Sequence, residues 1–304
     1  VTQQQIIEAE TRIRPYIRRT PVIELEMGAF DTQAKVVLKL ESLQHSGSFK
    51  PRGAFNRMLS NPIPDSGVIA ASGGNHGAAV AYAAGQLGLP AEIFVPTIAS
   101  PSKVEKIRGY GATIHIGGSN YQEALEASQA RAAQTGALAV HAYDQPEVLA
   151  GQGTVGKEFE EQAPGLDTLL IAVGGGGLIG GIAAWFGGRL RVLGVESEGC
   201  PTLYRSLKAG ELVSVKPSGL AADSLGATRV GSLMFEVAKT HLAGAVLVSD
   251  EAIREAQRWL WHKLQVVAEP GGATALAALM TGAYAARAGE RVGVLVCGAN
   301  TDLS

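Results

Sequence analysis

Short apolar runs alternate with longer stretches of helical spacing along nearly the whole chain. Residues 36–40, 68–71, 92–95, 113–116, 168–173, 191–196, 245–248 and 293–296 are four to six residues long and mostly aliphatic, which predicts strands apolar on both faces. Between them, 50–59, 77–87, 102–110, 121–134, 151–161, 178–186, 250–263 and 274–286 carry helical periodicity, after an amphipathic start at 1–19. Strands joined in turn by helices predict an α/β fold with a mostly parallel sheet. In such folds ligands sit where a strand's carboxyl end turns into the next helix. Only 210–231 breaks the rhythm, where Pro217 and several glycines predict a long surface loop.

At about 150 residues per domain, 304 residues predict two domains. A hydrophobic content of 46% and a net charge of −2 exclude a disordered chain, an acidic tail and a polybasic nucleic-acid binder. Segments 66–91 and 168–188 contain no Asp, Glu, Lys or Arg and are long enough to span a bilayer. Asn75, His76 and Pro90 in the first and four glycines in the second make each a strand, a turn and a buried helix instead. The N-terminus lacks a signal peptide's apolar core. Two cysteines, Cys200 and Cys297, give no disulfide framework, so the expectation is a soluble cytoplasmic protein without membrane or nucleic-acid partners.

The 39 glycines, about 13% against roughly 7% in ordinary proteins, direct attention to the strand–helix turns. Gly174, Gly175, Gly176 and Gly177 follow one strand and open a helix, so consecutive main-chain N–H groups can face one anion at the helix's positive end. Three readings stand: a phosphate cradle, a tight packing turn, or a dinucleotide fingerprint. The last takes Gly175, Gly177 and Gly180, with Glu196 as the ribose acid about 20 residues on.

Lys50 opens a second helix just before Pro51, where a helix dipole lowers an amine's pKa toward that of a nucleophile. Its ordinary alternative is a solvated lysine. Ser72, Gly73, Gly74 and Asn75 begin a third helix, either as a carboxylate-binding loop or as a simple N-cap. His76 fits a supporting hydrogen-bonding role better than that of a base. Cys297 ends the last strand, as a ligand contact or a small buried hydrophobe. Glu269 precedes a proline-glycine helix start.

Four segments, 46–54 (SGSFKPRGA), 72–77 (SGGNHG), 174–177 (GGGG) and 297–300 (CGAN), together resemble the fold-type II pyridoxal-phosphate enzymes, in particular the serine/threonine dehydratase and serine racemase group. Segment 141–154 is similar to the return of that group's chain to its large domain. The resemblance covers nearly the whole chain. It implies two open, twisted, mostly parallel sheet domains of the tryptophan synthase β-like type, with pyridoxal 5'-phosphate in the cleft between them. The large domain would be 1–66 with 145–304, the small mobile one 67–144, and the assembly a homodimer. It further implies that Lys50 holds the cofactor as a Schiff base and that Phe49 and Glu269 join the cofactor-binding set. Asn75 would bind the pyridine 3-hydroxyl, main-chain groups of Gly174 to Leu178 the phosphate, and Cys297 the ring nitrogen. Ser72, Gly73, Asn75 and His76 would close on the carboxylate of an amino-acid substrate.

The activity implied is dehydration and deamination of L-threonine or L-serine to a 2-oxo acid and ammonia. Racemisation and β-replacement are alternatives in the same fold, and an NAD-dependent dehydrogenase is the alternative from another class. The group's racemases carry a serine base immediately before Gly-Asn-His, where this chain has Gly73, which disfavours racemisation. Relatives with a divalent cation have an acidic residue matched by Glu196, but Thr202 stands where a later carboxylate is expected, so no metal site is expected. The sequence stops just after Asp302, so the regulatory C-terminal domain of isoleucine-pathway threonine deaminases is not expected.

Overall fold

A computed structural model describes residues 1–301; Asp302, named above, lies outside the described residues. Among the described residues ten strands form two sheets. They are β1 (Val22–Glu24), β2 (Lys35–Leu40), β3 (Val68–Ala71), β4 (Ala91–Val95), β5 (Thr113–Ile116), β6 (Leu138–Ala139), β7 (Thr168–Ala172), β8 (Arg191–Ser197), β9 (Leu242–Val248) and β10 (Arg291–Val296). The larger sheet has the order β1-β2-β10-β7-β8-β9 and the smaller β5-β4-β3-β6. Every pairing is parallel except β1 with β2. All five residues of β7 and the last five of β2 and β10 are buried, as strands covered by helices on both faces must be.

This topology places the chemistry. β10 lies between β2 and β7 and runs parallel to both, so three carboxyl ends finish side by side. The chain leaving β2 leads to Lys50, β10 leads into Cys297, and β7 leads into the glycine bend. All four strands of the smaller sheet fall within 68–139, and none of the larger sheet's strands do. The helix Lys50–Leu59 serves both cores: Ala54, Phe55 and Met58 pack with the smaller sheet, while Arg52 turns inward to Glu41 and Glu158.

Differences from the expected elements are local. β1 and β6 are three and two residues long, too short to carry a period. Helices Thr202–Ala209 and Ser232–His241 are additional. The helix expected at 274–286 starts at Pro270 and ends at Met280, since proline suits a first turn and Gly282 (φ +73°) follows the end. Segment 210–231 is not a plain surface loop: it contains a short helix, Ala222–Leu225, and buries Ala221, Leu225 and Val230. Among the described residues no helix is long and apolar enough to cross a membrane.

Candidate active site

A cleft of about 490 Å³ of unfilled space opens where the three strand ends meet. Every residue of the expected cofactor set lines it: Phe49, Lys50, Asn75, Gly174 to Gly177, Leu178, Glu269 and Cys297. Lys50 is the first residue of its helix, with Pro51 behind it. Its turn is tied to the turn after β10 by a Ser48–Gly298 bridge and by the Phe49 N–H donating to the Cys297 carbonyl at 3.2 Å. The ammonium donates to the Ala142 carbonyl at 2.7 Å and lies 5.2 Å from the Phe49 ring centre. Desolvation in the cleft lowers the Lys50 pKa to about 8, against the pull of Cys297 and Glu269. A substantial fraction of neutral amine is therefore present near pH 8, which a solvated lysine would not offer.

The glycine bend could not be built from other residues. A Cβ at Gly175 would stand 2.1 Å from Tyr143 Cδ1, and one at Gly176, where φ is +86°, 2.5 Å from Met234 Cε. The helix Gly177–Phe186 starts at the bend's last glycine, so its positive end lies at the cleft, an arrangement that could hold an anion.

Asn75 begins the helix Asn75–Leu87 without capping it; Ser72 Oγ instead accepts from the Gly74 N–H at 3.1 Å. Asn75 Nδ2 donates to Glu269 Oε1 at 2.5 Å, and its Oδ1 accepts from Asn300 Nδ2 at 2.5 Å. Burial pushes the Glu269 carboxyl up to about 7, opposed by the Asn75 hydrogen bond. Cys297 is buried and its Sγ donates to the Gly271 carbonyl at 3.4 Å. Burial, with Glu269 adding to it, raises its thiol pKa, so it stays neutral.

Ser72, Gly73 and His76 stand beside this cleft rather than among its walls. The His76 ring is buried and donates through Nε2 to the Val140 carbonyl at 2.8 Å. Burial first, then the Lys50 charge, lowers its pKa to about 3, so it is neutral and anchors its loop. Glu196 is also buried, with its carboxylate occupied by Thr202, Leu203 and Tyr204. Buried against the helix Thr202–Ala209 and absent from the cleft's walls, it is out of reach of a ribose, which removes the dinucleotide reading. Among the described residues no three His, Cys, Asp or Glu groups cluster. Ser224, Leu225 and Gly271 line the cleft without having been anticipated. Ser224 and Leu225 lie in the glycine-containing tract read as surface, where the apolar Ala221 and Leu225 were the available signal.

A lysine of lowered pKa, a side-chain-free glycine bend at a helix start and a neutral thiol thus meet at the carboxyl ends of neighbouring parallel strands. The chain belongs to the family described as pyridoxal-phosphate dependent enzyme, which matches residues 13–298. It is 36% identical to the L-threonine ammonia-lyase of Thermotoga maritima, over 100% of this chain and 77% of that one. Its fold is similar to that of a threonine deaminase from T.th., with TM-score 0.94, 35% identity and 100% coverage of both chains. It is similar also to maize serine racemase, with TM-score 0.94, 33% identity and coverage of 100% and 94%. The residues present fit the family's cofactor, because the amine and the side-chain-free bend answer its aldehyde and phosphate.

Proposed function

We propose that this enzyme eliminates water from a β-hydroxy amino acid, L-threonine or L-serine, giving a 2-oxo acid and ammonia. The observation that carries the reading is the Lys50 amine, held at a pKa of about 8 in a cleft it shares with the glycine bend and the Cys297 thiol. The likeness to a threonine ammonia-lyase over the whole chain supports the substrate class.

Lys50 and Phe49 would hold the cofactor at its aldehyde end, the amides of Gly174 to Leu178 its phosphate, Asn75 its 3-hydroxyl and Cys297 its ring nitrogen. Glu269 fixes the Asn75 amide. Bound pyridoxal phosphate supplies an electron sink for the negative charge that develops at the substrate's Cα. Lys50 Nζ removes the Cα proton and delivers a proton to the departing β-hydroxyl, which leaves as water. Water then hydrolyses the released enamine to the 2-oxo acid and ammonia. The amides at the start of the Asn75–Leu87 helix, in the loop Ser72, Gly73, Asn75 and His76, receive the substrate carboxylate. Residues 67–144 close as a lid over the cleft. Both cysteines are free and buried, which suits a reducing cytoplasm, and a symmetric homodimer is the expected assembly.

Incubation with L-threonine and L-serine should release ammonia and 2-oxo acid in equal amounts, with no accumulation of D-serine on chiral chromatography. D-serine formed as fast as oxo acid would favour a racemase instead. Gly73 argues against that: it has no proton to give, and a Cβ there would meet Ala99 Cβ at 2.5 Å and Val95 Cγ1 at 3.0 Å.

Capture of added cofactor by the cofactor-free protein requires the neutral Lys50 amine. Its rate should climb as pH rises toward 8, about tenfold per unit well below that value, and level off above it. Stopped-flow absorbance measures this; a rate still climbing past pH 10 would mean that Lys50 titrates like a solvated lysine.

A further inference from the structure

Glu196, near the end of β8, points at the first turn of the helix Thr202–Ala209. Its Oε1 accepts from the Leu203 N–H at 2.8 Å and from Thr202 Oγ1 at 2.9 Å, and its Oε2 accepts from the Tyr204 N–H at 2.7 Å. Glu196 and Thr202 are both fully buried. The same Thr202 hydroxyl shares its one proton, in a three-centre bond, with the carbonyl oxygen of Gly174, the first residue of the glycine bend, at 3.3 Å. The carboxylate therefore seats a hydroxyl that reaches from the end of β8 to the turn after β7.

That contact bears on the direction of an amide. The peptide plane that carries the Gly174 carbonyl also carries the Gly175 N–H, and in a trans peptide the two point opposite ways; among the described residues no peptide bond is cis. Holding the Gly174 oxygen at Thr202 therefore turns the Gly175 N–H away from Thr202. The next plane is held likewise, because the Gly231 N–H donates to the Gly175 carbonyl at 3.0 Å and so fixes the Gly176 N–H. Glycines have no side chains to hold their own planes and lose the most freedom when ordered. A bend of four needs such outside holds.

We propose that Thr202, seated by Glu196, is a positioning residue that orients the main-chain amides of the glycine bend toward the cofactor's phosphate. The helix's own first-turn amides and this hydroxyl occupy the carboxylate that an ion would otherwise require. The inference rests on the reading of the bend as the phosphate site.

The test compares the dissociation constants of pyridoxal phosphate and of pyridoxal, which lacks the phosphate, on the same cofactor-free protein. Thr202→Val removes the hydroxyl and keeps the branched shape, while Thr202→Ser keeps the hydroxyl. The valine variant should bind pyridoxal phosphate roughly three- to tenfold more weakly and pyridoxal as well as wild type does, and the serine variant should restore the affinity. Thr202→Cys, a poor donor of similar size, gives the same selective loss should the valine variant fail to fold. A chelator should leave wild-type affinity unchanged. Unaltered pyridoxal phosphate binding in the valine and cysteine variants overturns the proposal. So does an equal weakening of both ligands, which means general loosening, or a chelator that reproduces the loss, which means an ion does the holding. A wild-type protein that binds neither compound would instead remove the functional reading itself.

Discussion

Lys50→Ala is expected to lower turnover of L-threonine by at least about 10³-fold, since one side chain supplies both the covalent attachment and the Cα base. Borohydride reduction should fix the cofactor to the wild-type protein at Lys50 and leave the variant unlabelled. An added primary amine should restore a fraction of the rate, because the cleft and the glycine bend remain. Loss of the fold is not the expected cause. Desolvation lowers the folded-state Lys50 pKa from 10.5 to about 8, so the folded, cofactor-free protein disfavours the ammonium. That cost is fully present below about pH 8 and vanishes above the unfolded value, near 10.5. Cofactor-free Lys50→Ala should therefore melt no lower than wild type at pH 7, with the difference shrinking as pH approaches 10.5. Wild-type turnover by the variant without added amine, or a label on another lysine, would sink the assignment.

What the sequence made legible was local in origin. The run 68–71 is a strand at those bounds, because a strand covered on both faces must be apolar throughout, and that pattern needs no distant partner to be seen. Of the cleft's lining, Asn75 and Gly174 to Gly177 were legible because they sit at strand–helix turns, where glycine and a helix start leave a written mark; Phe49 and Glu269 came only from the family resemblance. What stayed hidden depends on distance through space. β1 exists because its Val22 to Glu24 pair with Lys39 to Val37 of β2, and nothing within three residues announces it. Thr202 meets Gly174 only because β7 and β8 are neighbours in the sheet. Ser72 looked like a helix cap, yet its hydroxyl serves Gly74 inside the loop; residue type alone does not separate a cap from a loop-stiffening bond. The tract 210–231 misled because glycines there permit close packing over the cleft, the same property that elsewhere marks exposed turns.

Arg52→Ala should lower stability by about 3–5 kcal/mol, although Arg52 touches neither the cleft nor solvent. The side chain is fully buried. It donates twice to Glu41, through Nε and Nη2 at 2.8 Å each, and through Nη2 to Glu158 at 3.0 Å and Nη1 to Thr154 at 3.2 Å. Lys39, also buried, balances Glu158 at 2.5 Å, so two cations meet two carboxylates without net charge. Removing the guanidinium leaves one ammonium to two buried carboxylates. In the wild type burial raises the Glu41 carboxyl, but the Arg52 charge and hydrogen bonds outweigh it, so its pKa lies below the ordinary value. Stability from this group is thus present above about pH 4.5 and lost as pH falls through the folded pKa. Without Arg52 the burial effect is unopposed by its main partner and the sign reverses: Glu41 prefers its proton, and the variant loses further stability as pH rises above 4.5. Urea midpoints at pH 5 and pH 8 should show a larger deficit at the higher pH, and Arg52→Lys should fall between, lacking the two-pronged fit to Glu41. The effect should reach the chemistry too. Arg52 lies in the first turn of the helix that Lys50 opens, so a loosened Arg52 frees that turn, and the variant should release cofactor faster at temperatures well below its melting point. A deficit under about 1 kcal/mol, as an exposed pair would give, would mean that the two carboxylates find other partners when the guanidinium is gone.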